Sequence, residues 1–167
     1  LDLARAVAGD GPEAHRLEHA AERLGLRCGE FDELDAVESQ RVLRFGDRLK
    51  LDFDIDDSVT QALVPSLVLQ PLVENSLKYA VAPREEGGRL RIEAREEQGR
   101  LKLVVQDDGP GLPVGVELGA GRGVGFRNTR ERLAVLYGDR QKLAVRFSRP
   151  GLRLEITMPF ERATQPT

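Results

Sequence analysis

From Leu49 the chain alternates apolar and charged residues, with Lys50, Asp52 and Asp54 set between Leu49, Leu51, Phe53 and Ile55. A period of two is that of a strand with one buried face. The same period returns at Leu90, Ile92 and Ala94, and again at Leu101, Leu103 and Val105, with Glu97-Gln98-Gly99 as the turn between them. A last pair, Leu143 to Phe147 and Leu152 to Met158, flanks the turn Ser148-Arg149-Pro150-Gly151.

Elsewhere the apolar period is helical. Leu1, Leu3, Ala4 and Val7 form one short stripe, which ends at Asp10-Gly11-Pro12-Glu13. Asp10 there suits an N-cap, Pro12 the first turn, and Glu13 the return bond of a capping box. The helix that follows is predicted to bury Ala14, Leu17, Ala21 and Leu24, and another carries Leu34, Val37, Val42 and Phe45 up to Gly46. Pro65 is predicted to start a helix bearing Leu67, Val68, Leu72, Val73 and Leu77, with Pro71 kinking it from inside. A final helix holds Leu133, Leu136 and Tyr137 and stops at Gly138. Two hairpins with few helices to cover them predict an α+β two-layer sandwich, its helices on one face of the sheet. The expected divisions are a helical segment over 1–46, a main domain over 47–160 and a disordered tail over 161–167.

Composition narrows the class. The 167 residues carry 25 Lys+Arg against 28 Asp+Glu, a net charge of −3, which offers no basic footprint for nucleic acid. The single cysteine, Cys28, excludes a disulfide framework and points to reducing cytosol. No apolar run is long enough to cross a membrane, and residues 1–30 lack the layout of a signal peptide. A first residue of leucine fits a fragment of a longer protein.

Three polar or glycine-rich clusters interrupt the apolar patterns. In Glu74-Asn75-Ser76-Leu77-Lys78-Tyr79 the amide of Asn75 suits a hard cation, and Lys78, three residues on, adds a positive charge for phosphate. On spacing alone a solvated helix face is the commoner reading, since such pairs abound on surfaces. In Asp107-Asp108-Gly109-Pro110-Gly111, at a strand end, a carboxylate is placed to accept from an exocyclic amine beside glycines that admit a flat ring. An ordinary strand-ending turn has the same composition. The run from Gly119 to Asn128 leads glycines and the positive charges of Arg122 and Arg127 into a helix N-terminus, where an anion is favoured. A surface loop is the alternative, since the run matches neither a Walker A loop nor a dinucleotide fingerprint.

In this order, the three clusters resemble the nucleotide site of the GHKL superfamily of gyrase, a heat-shock chaperone, histidine kinases and mismatch-repair proteins. The segments Arg44 to Leu49, Leu69 to Asn75 and Gly125 to Leu133, with Tyr137-Gly138, look like a LytS-type bacterial sensor histidine kinase. The resemblance implies a Bergerat fold with a mixed, mostly antiparallel sheet. It implies Mg²⁺ at Asn75, the adenine amine at Asp107, and an adenine pocket shaped by Gly109 and Gly111. It further implies nucleotide contacts from Lys78, Tyr79, Leu112, Arg122 and Val124, with a phosphate-covering lid of Gly121, Gly123 and Gly125 that ends at Asn128. Three positions depart from the pattern: Phe126 replaces leucine, Asp108 replaces asparagine, and the lid between Leu112 and Gly121 is short.

The implied activity is transfer of the ATP γ-phosphoryl to a histidine on an upstream helix, then to a response regulator. The implied setting is a homodimer with its catalytic domain in the cytoplasm and a parent held at the inner membrane. The family's phosphoacceptor motif is absent, and His15 and His19 read as solvated residues of a mixed-charge helix. The chain alone is therefore expected neither to autophosphorylate nor to dimerise strongly. A hydrolysing ATPase is the alternative, but Pro71 stands where that branch carries its water-activating glutamate. Glu74, adjacent to Asn75, points about 100° away from it around the helix. A non-catalytic module with a decayed pocket is the other alternative, opposed by the intact Asn75, Asp107 and glycines.

Overall fold

The computed structural model describes residues 48–59, 62–65, 68–111, 124–148 and 150–162. The helices expected over 1–46, the tail beyond 162, and Leu112 and Gly121 to Gly123 lie outside the described residues. Five strands carry the alternating segments: β1 (Leu49–Ile55), β2 (Gly88–Glu97), β3 (Arg100–Asp107), β4 (Lys142–Phe147) and β5 (Leu152–Pro159). They form one sheet in the order β1-β2-β3-β5-β4. β1 and β2 run parallel and every other pair is antiparallel.

The register aligns the sequence alternation into rows. Phe53, Ile92, Val105, Leu154 and Val145 are successive partners across all five strands. This apolar face is covered by two helices, α1 (Gln70–Ser76) and α2 (Val124–Tyr137). Leu69, Leu72, Leu77, Val81, Phe126 and Leu133 join the sheet's Leu90, Ile92, Leu103, Val105, Leu154 and Ile156 in one core. Each such side chain, fully buried, contributes about 1.5–3 kcal/mol.

The opposite face is a charge ladder. Arg91 pairs with Asp52, Asp54 and Glu93, Arg153 with Glu93, and Lys102 and Arg146 with Glu155. Phe147, expected on the alternating pattern of β4, is 67% exposed, at the end of the strand that forms the sheet edge. Leu136, expected in the core, is likewise half exposed, while Phe126, Thr129 and Leu133 form the inner stripe of α2.

The prolines behave differently from the expectation. Pro71 does not kink a helix begun at Pro65: α1 starts at Gln70 and Pro71 occupies its first turn. There the missing N–H would have had no partner anyway. The irregularity falls at the other end, where α1 continues as a π-turn over Leu77–Val81 and the Ala82 N–H donates to the Leu77 carbonyl at 2.8 Å. The β2–β3 turn has positive φ at both Gln98 (55°) and Gly99 (75°), the tight hairpin geometry expected there. At Gly138, φ is +54°, and α2 ends there as the sequence indicated.

Candidate functional site

Helix α1 and its π-turn are the axis on which the sequence clusters meet. A β-carbon at Gly125, the second residue of α2, would lie 2.9 Å from the Pro71 β-carbon. In the middle of the axis the Ser76 hydroxyl donates to Asp107 Oδ2 at 3.0 Å. At its far end, Ala80 lies so near Gly109 that a β-carbon there would come within 2.3 Å of the Ala80 methyl. Residues 71, 76 and 80 thus gather positions 125, 107 and 109, and only glycine permits the two close approaches.

Asp107 ends β3 on its buried parity and is 5% exposed. Its Oδ1 accepts the Gly109 N–H at 3.0 Å and the Leu152 N–H at 3.2 Å. Burial raises its pKa from the ordinary carboxylate value, against the lowering effect of the Gly109 amide, the Ser76 hydroxyl and the Leu152 amide; Asp108 adds a smaller upward push. An acceptor held this way can read a donor on a ligand.

Asp108, in place of asparagine, is tied to its surroundings through its charge. Its Oδ1 accepts from Arg84 Nη1 at 2.8 Å and from the Arg89 N–H at 2.9 Å. Arg84 also donates to the Asp108 carbonyl at 3.0 Å, and its own carbonyl accepts from Arg48 Nη2. The turn after Asp107 is therefore braced from the start of β1 and from the loop before β2. Sequence spacing gave no signal for Ser76, Arg84 or Arg48, whose partners lie 31, 24 and 36 residues away.

Asn75 is half-buried, and its Nδ2 is buried without a hydrogen-bond partner. The oxygen and nitrogen of an amide are exchangeable by rotation, so the orphaned position fits a ligand oxygen aimed at a cation. Among the described residues no three His, Cys, Asp or Glu side chains gather around a common point. A single amide oxygen at Asn75 fits Mg²⁺, which commonly takes one or two protein ligands with phosphate oxygens and water.

Lys78 and Tyr79 lie on the π-turn, both exposed, with the Lys78 ammonium 5.5 Å from the Tyr79 ring centroid. Gly111 has φ of +74°. Val124, Gly125 and Asn128 fall in the first turns of α2, where Asn128 is exposed. Phe126 is fully buried, so the larger side chain at this position serves the core. Arg127 is exposed and 3.9 Å from Glu131, one turn on.

A two-layer α+β frame with glycine turns drawn onto one helix beside a buried aspartate belongs to the ATP-binding class. The chain belongs to the histidine kinase-, DNA gyrase B-, and HSP90-like ATPase family, whose match covers residues 61–162. It is 40% identical over 118 residues to the sensor histidine kinase YesM of Bacillus subtilis, covering 70% of this chain and 20% of that protein. Identity to the sensor protein LytS of Staphylococcus epidermidis is 28% over 145 residues, covering 81% and 24% respectively. To the sensor histidine kinase YpdA of Escherichia coli it is 33% over 125 residues, covering 71% and 22%. The chain thus spans 20–24% of the length of these relatives.

Solved structures share the fold. The catalytic domain of the histidine kinase ThkA superposes with a TM-score of 0.56 at 16% identity, covering 86% of this chain and 92% of that one. The histidine kinase domain of the blue-light activated kinase EL346 from Erythrobacter litoralis gives 0.53 at 22%, covering 67% and 55%. The expectation of a LytS-type ATPase domain with an α+β fold is borne out. Among the described residues no helix is long and apolar enough to cross a membrane.

Proposed function

We propose that the chain binds Mg-ATP along α1 and acts as the catalytic domain of a two-component sensor histidine kinase. It would pass the γ-phosphoryl to a histidine on an upstream helix of the same homodimer, from which a response regulator takes it. The observation that carries this reading is the convergence of Pro71, Ser76 and Ala80 on Gly125, Asp107 and Gly109.

In this reading Asp107 accepts from the adenine amine, while Gly109, Gly111 and Leu112 shape the base pocket. Gly121, Arg122, Gly123, Val124, Gly125 and Asn128 cover the phosphates, with Lys78 and Tyr79 beside them. Asn75 would hold Mg²⁺, which when bound neutralises charge on the phosphate oxygens. Phosphoryl transfer asks mostly for positioning and charge stabilisation, so the chain needs no acid or base of its own at the reacting atoms. Anchoring of the parent protein at the inner membrane belongs to the same proposal.

Two observations favour phosphoryl transfer to a side chain over hydrolysis. Pro71 packs against Gly125 and has no group with which to activate water. Glu74 is engaged at 2.8 Å by the Gln70 side-chain amide within the same helix. The test is a titration of ATP into the purified chain with and without Mg²⁺, for wild type and Asn75→Ala. Mg²⁺ should tighten binding to wild type and have little effect on the variant, while metal-free affinity stays similar. Equal Mg²⁺ dependence in both would remove Asn75 from the metal site. With γ-labelled ATP, no acid-labile, base-stable label should appear on His15 or His19.

A further inference from the structure

Asp107 has about four acceptor positions on its carboxylate. Oδ1 takes two backbone donors, the Gly109 and Leu152 amides at 3.0 and 3.2 Å. Oδ2 takes the Ser76 hydroxyl at 3.0 Å, which leaves one acceptor position on Oδ2 for a ligand. Ser76 is 3% exposed, and its one hydroxyl proton is committed to Asp107. What remains on its Oγ is lone pairs. Carboxylate and hydroxyl together therefore present acceptors only.

We infer that Ser76 sets the base selectivity of this site. By donating its hydroxyl hydrogen bond to Oδ2 it fixes the orientation of the carboxylate and makes the site accept an exocyclic amine and reject a carbonyl oxygen. This deepens the proposed function and rests on Asp107 being the base reader. The two amides come from the turn after β3 and from β5, whereas Ser76 comes from α1 and directly follows Asn75. Base reading and the adjoining helix are thus joined through one hydroxyl. Its loss frees Oδ2 to take up a proton, and a protonated carboxyl has a donor to offer a carbonyl base.

The groups facing Asp107 bear on the pH dependence. Ser76 from α1 and the amides of Gly109 and Leu152 all hold the ionised form; burial opposes them. Asp108 is the charged neighbour acting in the same direction as burial, and Arg84 partners it at 2.8 Å. Removing the Ser76 donor shifts Asp107 toward protonation, so ATP binding should fail at a higher pH than in wild type.

The experiment is a competition titration of ATP and GTP across a pH series, on the full chain, for wild type, Ser76→Ala, Ser76→Thr and Asp107→Asn. Circular dichroism checks the fold of each. Ser76→Ala should lose roughly 2- to 10-fold in ATP affinity, the scale of one hydrogen bond. Its ATP-over-GTP preference should fall with it, and the midpoint of acid loss should move upward. Ser76→Thr keeps the hydroxyl and should restore all three. If Ser76→Ala keeps wild-type affinity, preference and midpoint while Asp107→Asn weakens ATP, the role of Ser76 is overturned and base reading stands. Equal losses in Ser76→Ala and Ser76→Thr would make Ser76 a packing residue and also overturn the inference. Wild-type ATP binding by Asp107→Asn would instead overturn the base reading itself.

Discussion

Asp107 is a buried ionisable group whose folded pKa lies above the ordinary 3.8, with burial as the main cause. The folded chain then binds a proton more readily than the unfolded one, so Asp107 lowers stability as pH rises above 3.8. Asparagine keeps an oxygen for the Gly109 and Leu152 amides and turns an NH₂ toward Ser76 Oγ, without the buried charge. Asp107→Asn should therefore melt no lower than wild type at neutral pH, with the difference vanishing as pH falls toward 3.8. A clear drop in melting temperature at pH 7 would contradict this. Gly109→Ala should have the opposite character: its β-carbon would meet Ala80 at 2.3 Å, an overpacking that costs about 1–3 kcal/mol, measurable by denaturant titration. Asp107 was legible in the sequence because it continues the buried parity of Leu101, Leu103 and Val105 with a carboxylate. The reason for Gly109 was not: sequence suggested room for a flat ring, and the structure also shows contact with Ala80, 29 residues earlier and on another element.

Among the elements, the strands were the most legible part, since a period of two across β2, β3 and β5 survives as buried rows in the folded sheet. Helix starts were less so. Pro65 and Pro71 each satisfy the rule for a first turn, and local sequence does not choose between them. The choice is made by packing, where Pro71 lies against Gly125 at the start of α2. Pro71→Ala keeps the β-carbon and should lower stability by up to about 1 kcal/mol through a freer unfolded chain. A proline that kinked the helix would cost about 3 kcal/mol, so its removal would instead raise stability. On the other face of the sheet, Arg153 holds the Glu93 carboxyl below its ordinary 4.5 and Arg95 holds Asp54 below 3.8. Their stabilisation is present above those values and lost as pH falls through the lowered folded ones. Glu93→Gln should consequently melt lower than wild type at pH 7 and lose less on acidification below 4.5. Parallel melting curves against pH would show that the ladder contributes nothing.

At the scale of the whole molecule, the topology brings together what the chain keeps apart. β1 and β2 pair in parallel, so the intervening chain carries α1 across the sheet, and α1 then collects positions 107, 109 and 125. The identity of the fold was legible because the motifs occur in a fixed order, even though each taken singly also reads as a common surface feature. The convergence of the motifs, and the Arg48, Arg84 and Asp108 brace, depend on contacts across 24 or more residues, which no local period encodes. We propose that this convergence is an adenine-reading ATP site. It is tested most directly by calorimetric titration of ATP and GTP into wild type and Asp107→Asn. A bond to a charged acceptor contributes about 1.5–3 kcal/mol, so ATP should bind the variant about 10- to 150-fold more weakly. GTP should bind wild type poorly and lose little on mutation. If Asp107→Asn folds normally and binds ATP as tightly as wild type, the adenine pocket is not at Asp107.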